Sequence, residues 1–88
     1  MERPEHIPPP CLEPLKVLHH DAHLVIVDKP SMLFSVPGRG PLKQDCALHR
    51  LAENFEDIKL VHRLDLDTSG VMVFARGIEA QRRLSRGF

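Results

Sequence analysis

The residues with the greatest chemical potential lie together in one stretch, residues 61–70, which reads Val-His-Arg-Leu-Asp-Leu-Asp-Thr-Ser-Gly. An apolar run at residues 71–75 follows at once and is typical of a buried strand. Carboxylates can attack electrophiles, stabilise cations or bind metal ions, and arginine recognises phosphate. Because polar loops held by a rigid neighbour often carry function, we expect the functional site in this stretch.

The first chemistry to test for this loop is calcium binding. Asp65 and Asp67 occupy the first and third positions of an EF-hand loop, and Ser69 occupies the fifth. The twelfth position, where calcium needs a bidentate Glu, is Arg76 instead. The intervening residues form an apolar strand rather than a loop. The calcium interpretation therefore fails on charge.

A second chemistry is magnesium-dependent aspartyl-phosphate transfer. Residues 65–68, Asp-Leu-Asp-Thr, are similar to the D-x-D-x-T pattern in which the first Asp attacks phosphorus. The second Asp then manages the proton of the leaving group. That chemistry places the first Asp at the end of a buried apolar strand, whereas here the apolar strand follows the motif. We keep this interpretation as the alternative.

The third interpretation accounts for more of the residues. Residues 62–70 resemble the central H-R-L-D-x-x-T-S-G motif of the RluA-type pseudouridine synthases, and an aliphatic strand follows them. Residues 27–31 and 33–39 resemble the lysine–proline strand and loop of that family, although Met32 stands where its members often have Gly. The likeness extends over about residues 15–88 and fits the short branch without a separate RNA-binding domain ahead.

The resemblance implies an enzyme that isomerises uridine to pseudouridine in RNA, with tRNA anticodon arms or large-subunit ribosomal RNA as partners. It implies no metal and no cofactor, and a monomer for the full-length enzyme. It assigns the catalytic role to Asp65, and it implies that Arg63 holds the place or the phosphate of the extruded nucleotide. Further expected RNA-binding residues are His62, Arg76, Arg82 and Arg83, and expected loop-shaping residues are Thr68, Ser69 and Gly70.

The sequence leaves the chemical role of Asp65 open. Breaking the bond between C1′ and N1 passes through a cation-like sugar, which a carboxylate can trap or stabilise. Attack at C1′, addition at C6 and removal of the C2′ proton all remain possible. Arg63 is two residues away, so in an extended segment it points to the same side as Asp65. A salt bridge from Arg63 to Asp65 or Asp67 is compatible with this role.

Composition adds only a local signal. The 88 residues carry twelve basic and twelve acidic side chains, so the net charge is zero. Residues 1–75 hold eight basic and eleven acidic side chains, whereas residues 76–86 hold four arginines and only Glu79. This local basic patch suits a polyanion, although a solvated helix face is the simpler explanation. With no signal-peptide core and no long apolar run, we expect a cytoplasmic protein.

The histidines and cysteines do not indicate a metal site. Three histidines lie near one turn, and Cys46 with His49 has a C-x-x-H spacing. A structural zinc site usually needs four ligands in two close pairs, and no C-x-x-C is present. Two cysteines are also too few for a disulfide framework.

The pattern of elements predicts an α+β fold with a mixed, mostly antiparallel sheet and two packed helices. Strands are predicted at residues 15–20, 24–29, 33–36 and 71–75. A helix of about three turns is predicted after Asp45 as N-cap, with an apolar spacing that extends to Phe55. A second helix is predicted from Ile78, with Ala80, Leu84 and Phe88 on one stripe.

We expect two regions: an extended Pro-rich segment at residues 1–14 with no role in the core, and part of a catalytic domain at residues 15–88. The second helix ends on its own apolar stripe, and the later motifs of the resembled family have no counterpart. We therefore expect an N-terminal fragment that is inactive and poorly folded alone.

Overall fold

The computed structural model describes residues 11–38 and 45–87, which form a four-stranded sheet and two helices. The sheet order is β1-β2-β4-β3, and every neighbouring pair of strands is antiparallel. The predicted α+β class is confirmed. Within the described residues, the only parallel pairing is an isolated bridge between Phe34 and Cys46. The elements are β1 Lys16–His20, β2 Leu24–Lys29, α1 Ala47–Ala52, β3 Ile58–Leu60, β4 Gly70–Arg76 and α2 Ile78–Ser85.

The core lies on one face of the two central strands. Val25 opposes Phe74 and Val27 opposes Met72 across β2 and β4. Because opposed residues of an antiparallel pair share a face, these four side chains point the same way, and all four are 0% exposed. The rest of this buried cluster comes from α1 and from the loop after β2, as Ala47, Leu51 and Leu33.

The opposite face of the sheet is covered only in part. Ile26 opposes Val73 on this face and both are half-buried, while Val71 is 58% exposed. The predicted buried strand at residues 71–75 is thus buried at Met72, Phe74 and Ala75 but exposed at Val71. Helix α2 contacts β4, and its buried Ala80 lines a cavity of about 400 Å³ together with Leu24, so α2 lies at the other end of this second face.

Residues 33–36, which were predicted to form a strand, instead form an irregular segment. Met32 adopts a left-handed backbone with φ 70°, which turns the chain away from β2. The carbonyls of Phe34 and Ser35 then accept hydrogen bonds from the first amides of α1, at Ala47 (2.7 Å) and Leu48 (3.2 Å). These hydrogen bonds direct the segment to the start of α1, and the isolated bridge between Phe34 and Cys46 takes the place of the predicted strand.

Helix α1 is shorter than predicted and has a different cap. Cys46 is the N-cap, and its Sγ accepts a hydrogen bond from the His49 amide at 3.4 Å. Asp45 instead forms a two-pronged ion pair with Arg50, at 2.7 and 2.8 Å. The helix stops at Ala52, so Phe55 packs against the core from outside it. The pairing with Arg50 lowers the pKa of the Asp45 carboxyl.

Arg50 also anchors the segment that precedes β1. Its guanidinium donates to the carbonyl of Glu13 at 2.8 Å and to that of Cys11 at 2.9 Å. Cys11 and Leu15 pack against the core cluster. The expectation that residues up to 14 have no core role is therefore wrong at Cys11, and residues 1–10 lie outside the described part of the chain.

Helix α2 begins where predicted. Its N-cap, Gly77, has φ 90°, a conformation that side chains rarely adopt, and its amide donates to the Asp57 carbonyl at 2.9 Å. Ala80 is buried and Leu84 half-buried, while Phe88 lies outside the described residues. Neither helix in the described part of the chain is long and apolar enough to cross a membrane.

A matched pair of substitutions tests this assignment of faces in the intact protein that carries this segment. Val71→Thr should change stability by no more than about 0.5 kcal/mol, because Val71 is 58% exposed. Val27→Thr buries the same hydroxyl in the core and should cost about 1–3 kcal/mol of stability. Circular dichroism in urea measures both effects. Equal effects of the two substitutions would contradict the assignment.

Candidate active site

The polar loop connects β3 with β4, and its side chains alternate between solvent and core. Arg63, Asp65 and Asp67 are exposed, whereas Leu64 and Leu66 between them are half-buried. Leu64 packs directly against the core cluster. This period of two is typical of extended backbone. The loop thus presents Arg63 and Asp65 to solvent while its leucines hold it to the sheet.

The residue before Asp65 is fixed by a single buried hydroxyl. Oγ of Ser35, which is 3% exposed, donates to the Leu64 carbonyl at 2.7 Å. The same oxygen accepts the Leu64 amide at 3.0 Å. Both backbone polar groups of Leu64 are therefore satisfied by one side chain, although no strand neighbour pairs with them.

The residue after Asp65 is fixed from the same segment of the chain. The Leu66 carbonyl accepts a hydrogen bond from the Met32 amide at 2.7 Å. It accepts a second one from Nζ of Lys29, at 3.3 Å. Met32 adopts a left-handed backbone, for which glycine is the usual residue. In this conformation its amide faces the loop and binds the Leu66 carbonyl.

Lys29 is a buried amine that joins three backbone carbonyls. Its side chain is 0% exposed, and Nζ also donates to Leu33 at 2.6 Å and to Pro30 at 3.0 Å. Burial lowers the pKa of the Lys29 amine, which nearby Cys11 and Asp67 oppose. A buried amine with three donors can satisfy three carbonyls at once. Lys29 therefore ties the end of β2, the following turn and the polar loop together.

A tight turn follows the catalytic candidate. The Thr68 amide donates to the Asp65 carbonyl at 3.1 Å, and Asp is favoured at the first position of such turns. Ser31 Oγ donates to the Asp67 carbonyl at 2.8 Å and holds the turn from outside. Gly70 then begins β4 with φ 144°, a backbone conformation in which a residue with a side chain would be strained. Thr68 and Ser69 are exposed.

The result of these contacts is a carboxylate on a fixed backbone. Asp65 is exposed, while Leu64 and Leu66 on either side are each held by two hydrogen bonds from residues 29–35. Among the described residues, no salt bridge joins Asp65 to Arg63. The carboxylate is thus positioned through its backbone and open on its side-chain face, as a group that reacts with a bound ligand must be.

His62 fastens the start of the loop to the sheet. Its Nε2 accepts the Val73 amide at 3.0 Å, in the ladder position beyond Leu60, where β3 has already ended. The half-buried ring therefore replaces a strand carbonyl. A contact between His62 and RNA stays a prediction.

The expected RNA-binding arginines fall into two places. Arg63 lies beside Asp65, whereas Arg76 ends β4 about 20 Å from Gly70, at about 3.3 Å per residue. The Arg76 guanidinium donates to the Asp21 carbonyl at 2.9 Å and lies over the Phe55 ring. The structure thus places Arg76 at the opposite end of β4 from the polar loop. Arg82 and Arg83 are exposed on α2.

The residues that hold the loop were missed as site residues by the sequence reasoning. Lys29 carried a signal, because it continues the inward positions of Val25 and Val27 at a spacing of two. Ser35 and Met32 carried none, since their roles depend on a turn the local pattern does not indicate. A cavity of about 470 Å³ opens beside the loop, where Ser31 and Ser69 contribute to its lining. Within the described ranges, no three His, Cys, Asp or Glu side chains are grouped to hold a metal ion.

The fold and this loop define an α+β domain that carries an exposed aspartate on a clamped polar loop. Residues 23–88 match the RNA pseudouridylate synthase family, and the chain belongs to that family. The alternative aspartyl-phosphate chemistry places the aspartate at the end of a buried strand, whereas β3 before Asp65 is only half-buried and the buried strand β4 follows the loop.

Named relatives agree with this membership. The chain is 44% identical over 86 residues to the dual-specificity RNA pseudouridine synthase RluA of Vibrio vulnificus, covering 96% of this chain and 33% of that protein. It is 48% identical over 80 residues to the RluA protein of Haemophilus influenzae, covering 90% of this chain and 36% of that protein. The chain thus spans about a third of the length of these relatives.

A solved structure shows the same fold. The human RNA pseudouridylate synthase domain containing 4 superposes with a TM-score of 0.60 at 28% sequence identity. The match covers 81% of this chain and 28% of that one.

The role of Lys29 can be tested in the intact protein that carries this segment. Lys29→Met keeps an apolar stem but removes the donor to three carbonyls, so stability should fall by about 2–3 kcal/mol. Lys59→Met is the matched control, because Lys59 is 40% exposed and pairs only with Asp57 among the described residues. Its cost should stay within about 0.5 kcal/mol. Equal urea midpoints for the two variants would contradict the role of Lys29.

Proposed function

We propose that this chain provides the part of an RNA pseudouridine synthase that carries the catalytic aspartate, Asp65. The observation behind the proposal is the exposed carboxylate of Asp65 between two clamped backbone neighbours, in a chain of the RNA pseudouridylate synthase family. A reacting group must be both accessible and held in place, and Asp65 combines the two properties.

The central protein group proposed for the reaction is the Asp65 carboxylate. The C1′–N1 bond of uridine breaks, the base rotates, and a C1′–C5 bond forms; the proton on C5 is released to solvent and N1 takes up a proton, so the product is an isomer of the substrate. A carboxylate beside the sugar can form a bond to C1′ or stabilise positive charge there. Addition at C6 and removal of the C2′ proton need the same carboxylate at the same nucleoside. We propose no metal and no cofactor for this chemistry.

Arg63 is proposed to hold the RNA at this site. The target nucleotide must leave its stack, at a cost of a few kcal/mol. Arg63 is exposed next to Asp65, and no carboxylate of the described residues pairs with it. Its planar guanidinium can stack in the vacated place or bind a phosphate in two-pronged fashion.

The proposed substrates are tRNA anticodon arms and large-subunit ribosomal RNA. The relatives from Vibrio vulnificus and Haemophilus influenzae are dual-specificity RNA pseudouridine synthases by name, which supports more than one RNA class. We further propose that the intact enzyme acts as a monomer in the cytoplasm.

The catalytic assignment predicts that Asp65→Asn abolishes pseudouridine formation by the intact protein. Asparagine keeps the shape and removes the negative charge, so all three chemical routes fail. Tritium released from C5-tritiated transcripts of tRNA and large-subunit ribosomal RNA measures the reaction. Asp67→Asn is the matched control, since Asp67 is also exposed in the same loop, and it should retain most of the activity. Wild-type rates for Asp65→Asn would refute the assignment.

The exposed arginines of α2 are proposed to contact RNA phosphates. Replacing Arg82 and Arg83 by Gln should reduce the slope of log affinity against log salt by about 0.7 per lost contact. Arg82 has only a weak restraint, an exposed pair with Glu79 at 3.7 Å. Filter binding of the tRNA transcript at several salt concentrations measures the slope, with Lys59→Gln as control. An unchanged slope would show that Arg82 and Arg83 face solvent and do not contact RNA phosphates.

A further inference from the structure

One buried side chain controls the backbone immediately before the proposed catalytic residue. Oγ of Ser35 is the donor to the Leu64 carbonyl at 2.7 Å and the acceptor of the Leu64 amide at 3.0 Å. Two hydrogen bonds to one peptide residue restrain both its position and its rotation. Because Asp65 follows Leu64 directly, the direction of the Asp65 side chain depends on this contact.

Ser35 is itself held on a rigid base. Its carbonyl accepts the Leu48 amide at 3.2 Å, and the neighbouring Phe34 carbonyl accepts the Ala47 amide at 2.7 Å. Its Oγ also lies 3.5 Å from Sδ of Met72, a fully buried residue of β4. Contacts with both α1 and β4 therefore fix the position of Ser35, and through it that of Leu64.

Among the described residues, no other side chain forms a hydrogen bond with the backbone of Leu64. On the far side of Asp65, the Leu66 carbonyl has two donors, the Met32 amide and Lys29. The loss of one of them leaves the other in place. On the near side, Ser35 supplies both hydrogen bonds to Leu64, so its loss leaves the Leu64 backbone without either of them.

We propose that Ser35 is a positioning residue for Asp65, which acts through the backbone of Leu64 and does not touch RNA. This proposal rests on the function proposed above and adds a residue outside the polar loop to its catalytic apparatus. Ser35 is 3% exposed, so its hydroxyl acts on the Leu64 backbone and is not accessible to RNA.

The proposal predicts a loss in the rate of the chemical step with little loss in RNA binding. Misplacing a reacting group by about 1 Å can cost about 10²-fold in rate. Ser35→Ala in the intact protein should therefore lower the single-turnover rate on C5-tritiated tRNA transcript by about 10²-fold. The Kd for the same transcript should change less than about twofold, because His62, the other neighbour of Arg63, still holds the start of the loop to the Val73 amide.

A matched control separates positioning from general loss of stability. Gln81→Leu removes another side-chain hydrogen bond to a backbone carbonyl, that of Leu60 at 2.8 Å, outside the loop. Its single-turnover rate should stay at the wild-type value. Rates are normalised to folded protein, measured by circular dichroism. If Ser35→Ala does not fold, Ser35→Cys replaces it, since a thiol has a similar shape but is a weak donor and acceptor.

The outcomes distinguish the two proposals. An active wild type with an equally active, folded Ser35 variant would overturn the positioning role alone. A rate loss matched by an equal loss of RNA affinity would also overturn it. A wild type that releases no tritium from any of the transcripts would overturn the proposed function, and the role of Ser35 with it.

Discussion

The described structure depends on the hydrogen bonds that the backbone of the polar loop forms with groups outside the sheet. Between β3 and β4 the chain leaves the ladder, so its amides and carbonyls need other partners. The segment from Lys29 to Ser35 provides them, with a buried amine, a hydroxyl and a backbone amide. Leaving those groups unpaired would cost about 1–3 kcal/mol each, which is large against the stability of a small domain.

This arrangement explains why a charged loop can lie against a hydrophobic core. Leu64 contributes its side chain to the core while its backbone binds Ser35. His62 completes the β4 ladder where β3 ends, through the Val73 amide. The side chains of Arg63, Asp65 and Asp67 are left to solvent, as are those of Thr68 and Ser69 in the following turn. Folding and the proposed chemistry therefore use opposite sides of the same loop.

Much of this could be read from the sequence, because the informative patterns were local. The motif indicated Asp65, apolar runs located β2 and β4, and the helical spacing of apolar residues located the start of α2. The pattern failed where tertiary contacts decide: residues 33–36 give their carbonyls to α1, and Cys46 caps that helix in place of Asp45. Three-residue β3 is too short for a period of two to be recognised. Ser35 was invisible as a positioning residue because its partner lies 29 residues away.

Hydrogen exchange at single-residue resolution in the intact protein tests the clamp most directly. The amides of Leu64 and Met32 donate to Ser35 and to Leu66, so they should exchange as slowly as the Val27 amide inside the sheet. This would show that both neighbours of Asp65 are held as firmly as the core. Exchange of the Leu64 and Met32 amides at the rate of an unstructured peptide, with Val27 protected, would contradict the account.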